Sequence, residues 1–230
     1  MTDEAVATMG RLERRLVSEP RWPSVLAVLV ALGLYVALPE EMAGGPGVAA
    51  VVHFAIPAVV LVLLASLALG APHRHAAESA GRRRAAFGLT AVLSVANLLA
   101  LALLVTRIAD GSVAGGPLLL AAAEIWTANA IVFALWYWEL DGGGPPVRLA
   151  DPGGRRDFAF VQMLNPELAE PGWHPRFVDY LYVSFTNASA FSPSDTLPLT
   201  RWAKLLMLLQ SWVSIVTVVL VAARAVSMLG

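Results

Sequence analysis

Between Arg84 and Arg107 the chain carries no charged residue, and Ala85–Thr106 is apolar almost throughout. A helix rises about 1.5 Å per residue, so a run of this length crosses a hydrocarbon core of about 30 Å. A helix also satisfies its own backbone groups, which lipid requires. Trp22–Leu38 and Gly47–Gly70 repeat the pattern, and Pro117–Leu140 and Trp202–Ala223 are as apolar apart from Glu124, Glu139 and Lys204. Only 14% of the residues are charged, too few to clothe a soluble domain of this size. The chain therefore reads as an all-α membrane protein.

The remaining totals exclude whole classes of function. There is no cysteine, which removes disulfides and thiolate metal sites. Four histidines and no HExxH give zinc little to bind, so no metal is expected. There is no GxSxG, no GxGD and no P-loop, so neither an enzyme nor a cofactor is expected. A net charge of −1 gives no footprint for nucleic acid.

Four regions follow from composition. Residues 1–21 are polar, with Ala5, Met9, Leu12 and Leu16 at helical spacing and Arg11, Arg14 and Arg15 elsewhere around the helix. This reads as an amphipathic N-terminal segment on the membrane surface, or as a solvated helix. Residues 22–140 hold four transmembrane helices, and Pro57 should kink the second. The first is read as retained rather than as a signal peptide, because Pro39-Glu40-Glu41 follows it and no A-x-A site does. The fourth ends in Trp136-Tyr137-Trp138, an expected interfacial aromatic anchor.

Residues 141–176 form a polar loop, opened by the helix-breaking Gly142-Gly143-Gly144-Pro145-Pro146. Phe158-Ala159-Phe160-Val161 and Trp173 suggest that the loop packs back on the membrane face. Residues 177–230 contain the short run Phe177–Phe191 and the last transmembrane helix. As a helix that run measures about 22 Å, short for a crossing and suited to a re-entrant half-helix.

Arg and Lys placement orients the chain. Fourteen of the sixteen fall on one side if Phe177–Phe191 dips and returns, and thirteen if it crosses. Either way the N-terminus is expected to be cytoplasmic.

The stretch Asp179–Thr200 reads DYLYVSFTNASAFSPSDTLPLT and runs into a long apolar helix. It resembles the pore hairpin of tetrameric potassium channels. Asp179, Leu181, Tyr182, Ser184 and Phe185 fall on pore-helix positions, and Asp195 on the acid after the filter. Pro198-Leu199-Thr200 falls on the turn before the inner helix. The resemblance covers about 50 of the 230 residues and implies an oligomer, a tetramer if the pore is retained. The filter itself departs from the family. Ala190, Phe191, Ser192, Pro193 and Ser194 occupy its positions, with serine in place of both glycines and proline in place of tyrosine. A cage of inward-pointing carbonyls needs conformations open to glycine. Potassium selectivity is therefore not expected.

The whole layout also resembles a family of bacterial inner-membrane proteins without an assigned activity. Phe133-Ala134-Leu135-Trp136-Tyr137, Asp157-Phe158 and Asp179–Thr186 carry that likeness. It implies two helical hairpins, a re-entrant pore-like half-helix and a final transmembrane helix in a bacterial inner membrane. In potassium channels the pore loop enters from outside, whereas the charge count places this one on the cytoplasmic side. An inverted loop, as in ionotropic glutamate receptors, reconciles the two, and so does a full crossing by Phe177–Phe191. The re-entrant form keeps Asn187, Ser189 and Ser192 from lipid.

The candidate positions follow. Ala190–Asp195 are filter-like, and Ser184, Thr186, Asn187 and Ser189 are the polar residues of the pore helix. Within the spans, Glu124 and His53 are ionisable. An unpaired carboxylate at that depth costs about 2–3 kcal/mol. Glu124 therefore reads as a proton or cation site, or as a hydrogen-bonding partner of His53 or Asn97. His53 reads as a packed histidine or as a group titrating near neutrality. Asn97 and Gln210 read as interhelical hydrogen-bonding residues. The expected function is a cation channel without potassium selectivity, embedded in the bilayer as a homo-oligomer. The alternatives are a non-conducting scaffold or regulatory subunit, and a proton-coupled transporter using Glu124 and His53.

Overall fold

The computed structural model describes residues 19–20, 22–38, 54–70, 73–74, 80–111, 115–151, 153–190, 192 and 195–229. The expected amphipathic segment over residues 1–18 lies outside the described residues, as do His53, Phe191, Pro193 and Ser194. The elements are β1 (Glu19–Pro20), α1 (Trp22–Ala37), α2 (Ile56–Gly70), β2 (His73–Arg74), α3 (Ala80–Asp110) and α4 (Gly115–Leu140). They are followed by α5 (Pro145–Ala150), β3 (Phe158–Phe160), α6 (Val161–Leu164), α7 (Phe177–Ala190), β4 (Thr196–Pro198) and α8 (Arg201–Leu229). Strand β1 pairs antiparallel with β2, and β3 with β4.

Helices over 81–110, 116–143 and 201–224 are long and apolar enough to cross a membrane. The first two apolar segments form shorter helices, Trp22–Ala37 and Ile56–Gly70. Helix α4 is the hub and touches α1, α3, α7 and α8. Its apolar window is 72% buried, against 28% for α8. Small side chains explain the difference. Ala121, Ala122, Ala130 and Ala134 are buried on α4, and they let neighbouring backbones approach closely where lipid offers no hydrophobic drive. Helix α8 instead presents Trp202, Leu205, Leu209 and Trp212 outward.

Helix α3 is longer than the apolar run that announced it. Helix α3 continues through Arg107, which pairs with Asp110 at 3.8 Å one turn on. It stops at Gly111, whose φ of 66° is the left-handed conformation that ends helices. At the end of α4, Gly142, Gly143 and Gly144 all take positive φ, at 55°, 87° and 90°. A Cβ on Gly144 would lie 2.7 Å from the Glu139 carbonyl oxygen, so the turn has no room for another residue type. Pro145 then begins α5, at a position where its missing N–H goes unneeded.

Two of the three rings expected to anchor α4 at an interface turn into the protein. Tyr137 and Trp138 are fully buried, and the half-buried Trp136 donates from Nε1 to Ser94 Oγ at 2.8 Å. The polar region after α4 folds over these rings. Phe158 meets Tyr137, Phe177 meets Trp138, and Phe160 meets both Trp173 and Tyr180 at centroid separations of 5.1–5.9 Å. Burying three successive residues, Phe158–Phe160, is what drives β3 onto the bundle.

Candidate functional site

Helix α7 and the start of α8 both lie along α4 in the opposite chain direction. Phe177 packs on Trp138, Ser184 Oγ donates to the Ala130 carbonyl at 2.6 Å, and Trp126 Nε1 donates to the Ala188 carbonyl at 3.3 Å. As α7 advances, its partners on α4 therefore step backward. Helix α8 behaves alike: Gln210 meets Tyr137, and Ser214 meets Asn129.

A buried polar network joins the three helices. Gln210 is its centre and has no exposed surface. Its Oε1 accepts from Tyr137 Oη at 2.5 Å and from Asn187 Nδ2 at 2.9 Å. Its Nε2 donates to Ser184 O at 2.8 Å and to Ser184 Oγ at 2.7 Å. Asn187 Nδ2 also donates to the Met207 carbonyl at 3.0 Å, and Asn129 Nδ2 donates to Ser214 Oγ at 3.0 Å. Ser184 and Asn187 thus face their own bundle rather than a lumen. Thr186 and Ser189 return their hydroxyls to helix carbonyls, Tyr182 at 2.9 Å and Phe185 at 2.9 Å. Gln210 acts as the interhelical residue that sequence reading expects.

A second cluster sits at the end of α4. Asp141 is fully buried. Its Oδ1 accepts from the backbone N–H of Asp157 at 2.6 Å and of Phe158 at 3.1 Å, and its Oδ2 accepts from Tyr180 Oη at 2.6 Å. Arg148 caps α4: one Nη1 donates to the carbonyls of Trp138 at 2.8 Å and Asp141 at 2.7 Å, where the helix dipole favours a cation. Its guanidinium carbon lies 5.1 Å from the centre of the Tyr180 ring. Asp157 Oδ1 accepts from Thr200 Oγ1 at 2.7 Å, and Asp157 Oδ2 accepts from the Gly142 N–H at 2.9 Å. Thr200 Oγ1 also accepts from Ala203 N at 3.3 Å, which caps α8. One carboxylate cluster therefore fixes the ends of α4, α7 and α8 together.

Of the two acids, sequence reading singled out Asp157, and for its likeness to a family rather than for a role. Asp141 offered a faint signal as an acid directly before a glycine break. Arg148 and Tyr180 offered none, because their roles depend on chain that returns from far along the sequence.

The filter-like positions come next. Ala190 is the last residue of α7. Ser192 and Asp195 are exposed, and Asp195 Oδ1 lies 3.5 Å from Thr196 Oγ1. Thr196 begins β4, whose register Phe160↔Thr196 to Phe158↔Pro198 pins it to the folded loop.

Glu124 is 8% exposed on α4, and its Oε2 has no hydrogen-bonding partner. Asn97 does not satisfy it, and the Oδ1 of Asn97 is itself buried and unpartnered. Asn97 thus does not act as the interhelical tie expected of it. Thr127, one turn along α4, donates its hydroxyl to the Ala123 carbonyl at 2.8 Å. Among the described residues no group of three or more His, Cys, Asp or Glu stands together to hold a metal ion. Between α3 and α8 lies a mostly apolar groove of about 610 Å³, lined by Asn97, Asn129 and Val213 and also by Asp141, Asp157 and Trp202.

No protein-family model matches the chain, and no curated protein or solved structure does either. Function is therefore read from geometry and chemistry alone.

Proposed function

We propose that this is a multi-pass membrane protein whose C-terminal segment is a re-entrant, pore-like hairpin that lines a cation pathway in a homo-oligomer. One observation carries the reading: α7 and α8 both begin beside the C-terminal end of α4 and run the same way. The connection after Ala190 then has to return to the side where α7 started. Helix α7 has 14 residues and descends about 21 Å. The residues between Ala190 and Arg201 reach about 33 Å when extended, enough to climb back.

That is the path of a pore helix followed by a filter strand. Ser192 and Asp195, exposed between α7 and β4, are its available polar groups. Ser184 and Asn187 are committed to the bundle, so they hold the hairpin rigid rather than line a pathway. A ring of Asp195 carboxylates would favour cations without choosing potassium. With the N-terminus cytoplasmic, the loop enters from the cytoplasmic side of a bacterial inner membrane. The reading assigns no catalytic chemistry to the chain.

Purified protein reconstituted in liposomes should pass monovalent cations down a gradient. Asp195→Asn should cut that flux several-fold and reduce preference for cations over anions, with assembly unchanged. An assembled oligomer that passes no ion under any gradient or voltage would make the hairpin a non-conducting scaffold.

A further inference from the structure

The groups left over by the hairpin lie at the other end of α4. Glu124 is about 14 Å along that helix, on the face turned toward α1 and α3. There a cavity of about 20 Å³ is lined by Tyr35 of α1, Asn97 of α3 and Glu124 of α4. The volume suits one water-sized occupant. All three side chains are more than nine-tenths buried, at 7%, 6% and 8% exposure. Tyr35 Oη, Asn97 Oδ1 and Glu124 Oε2 each lack a hydrogen-bonding partner. The other walls are apolar, including Leu32, Leu93, Ile125 and Val132.

Three buried, unpartnered oxygens on residues that line one small cavity are expensive. Each unsatisfied buried group costs about 1–3 kcal/mol, and an ionised carboxylate more. A proton on Glu124 neutralises the charge but gives a hydrogen to one neighbour at most. A small monovalent cation satisfies a carboxylate, an amide oxygen and a phenol oxygen together, and these are the hard oxygen ligands such ions take. One carboxylate balances one positive charge.

We infer that Tyr35, Asn97 and Glu124 form an intramembrane site for a single small alkali cation of the Na⁺ class. The cavity also adjoins the large lateral groove. Asn97 and Val132 line both this cavity and the large lateral groove, so one layer of side chains separates them. Among the described residues lining the cavity, Glu124 and Tyr35 are the titratable ones. Protons should therefore compete with the cation at Glu124.

The test uses the full-length protein in detergent. Thermal unfolding is followed in NaCl, LiCl, KCl and choline chloride at equal ionic strength, alongside direct binding of radiolabelled Na⁺. Na⁺ should raise the Tm saturably, by about 5–8 °C at a hundredfold excess over Kd. The rise should shrink on acidification, vanish in Glu124→Gln and weaken in Asn97→Leu. Wild-type Na⁺ binding keeps the proposal testable if a variant misfolds. Equal Tm in Na⁺ and choline, with no labelled Na⁺ bound, would overturn it and leave a protonated Glu124 as the occupant of the site. A Na⁺ effect that survives in folded Glu124→Gln would overturn it equally.

Discussion

Asp141→Ala should be the most damaging single substitution at the end of α4, lowering stability by about 3–5 kcal/mol. The carboxylate accepts two backbone N–H groups and the Tyr180 hydroxyl with no exposed surface of its own. Truncation orphans all three donors at a buried position. Hydrogen bonds to a charged acceptor contribute about 1.5–3 kcal/mol each, and bonds sharing one acceptor group do not add fully. Asp141→Asn should cost less, about 1–2 kcal/mol. Its carbonyl oxygen can keep both N–H groups, while its amide donates to the Tyr180 oxygen. Tyr180→Phe removes one bond and should cost about as much as Asp141→Asn. Denaturant unfolding in detergent micelles measures the series. If Asp141→Ala were no worse than Asp141→Asn, the cluster would not be what ties α4 to α7.

Gln210→Leu has the second largest expected effect, about 2–4 kcal/mol. Four hydrogen bonds converge on this amide, from or to Tyr137, Asn187 and Ser184. At the roughly 0.6 kcal/mol typical of a bond between membrane helices, four would contribute about 2.4 kcal/mol. Leucine fills much of the space but leaves those partners without a replacement from lipid. Asn187 retains the Met207 carbonyl and Ser184 retains the Ala130 carbonyl, which bounds the loss. Tyr137→Phe combined with Gln210→Leu should cost less than the two changes summed, since both remove one shared bond. Strict additivity would mean that the Tyr137–Gln210 contact contributes nothing.

Local chemistry made much of this fold legible. The Gly142–Pro146 break, the extent of α7 to within one residue and the role of Gln210 all follow from residue type and spacing. Helix α3 ran four residues past its expected end because an Arg107–Asp110 pair tolerates the interface and Gly111 supplies the stop. The inward turn of Tyr137 and Trp138 was not legible. It depends on Phe158 and Phe177 arriving from later chain to cover them, and periodicity cannot report non-local packing. The same holds for Asp141, whose partners come from three separate stretches. Glu124 was conspicuous in the sequence, but its companion Tyr35 was not, because a tyrosine in an apolar helix gives no sign of which way its hydroxyl points.

The central claim is that α7 enters and the chain returns on one side of the membrane. The native chain has no cysteine, so single cysteines can be placed without background. Glu170 and Leu199 are exposed before α7 and after the return, and Asp110 closes α3 at the other end of the bundle. With a membrane-impermeant maleimide on sealed vesicles of known orientation, Glu170→Cys and Leu199→Cys should label from the same face, and Asp110→Cys from the opposite one. Labelling of Glu170→Cys and Leu199→Cys from opposite faces would mean that α7 crosses, and would contradict the re-entrant hairpin.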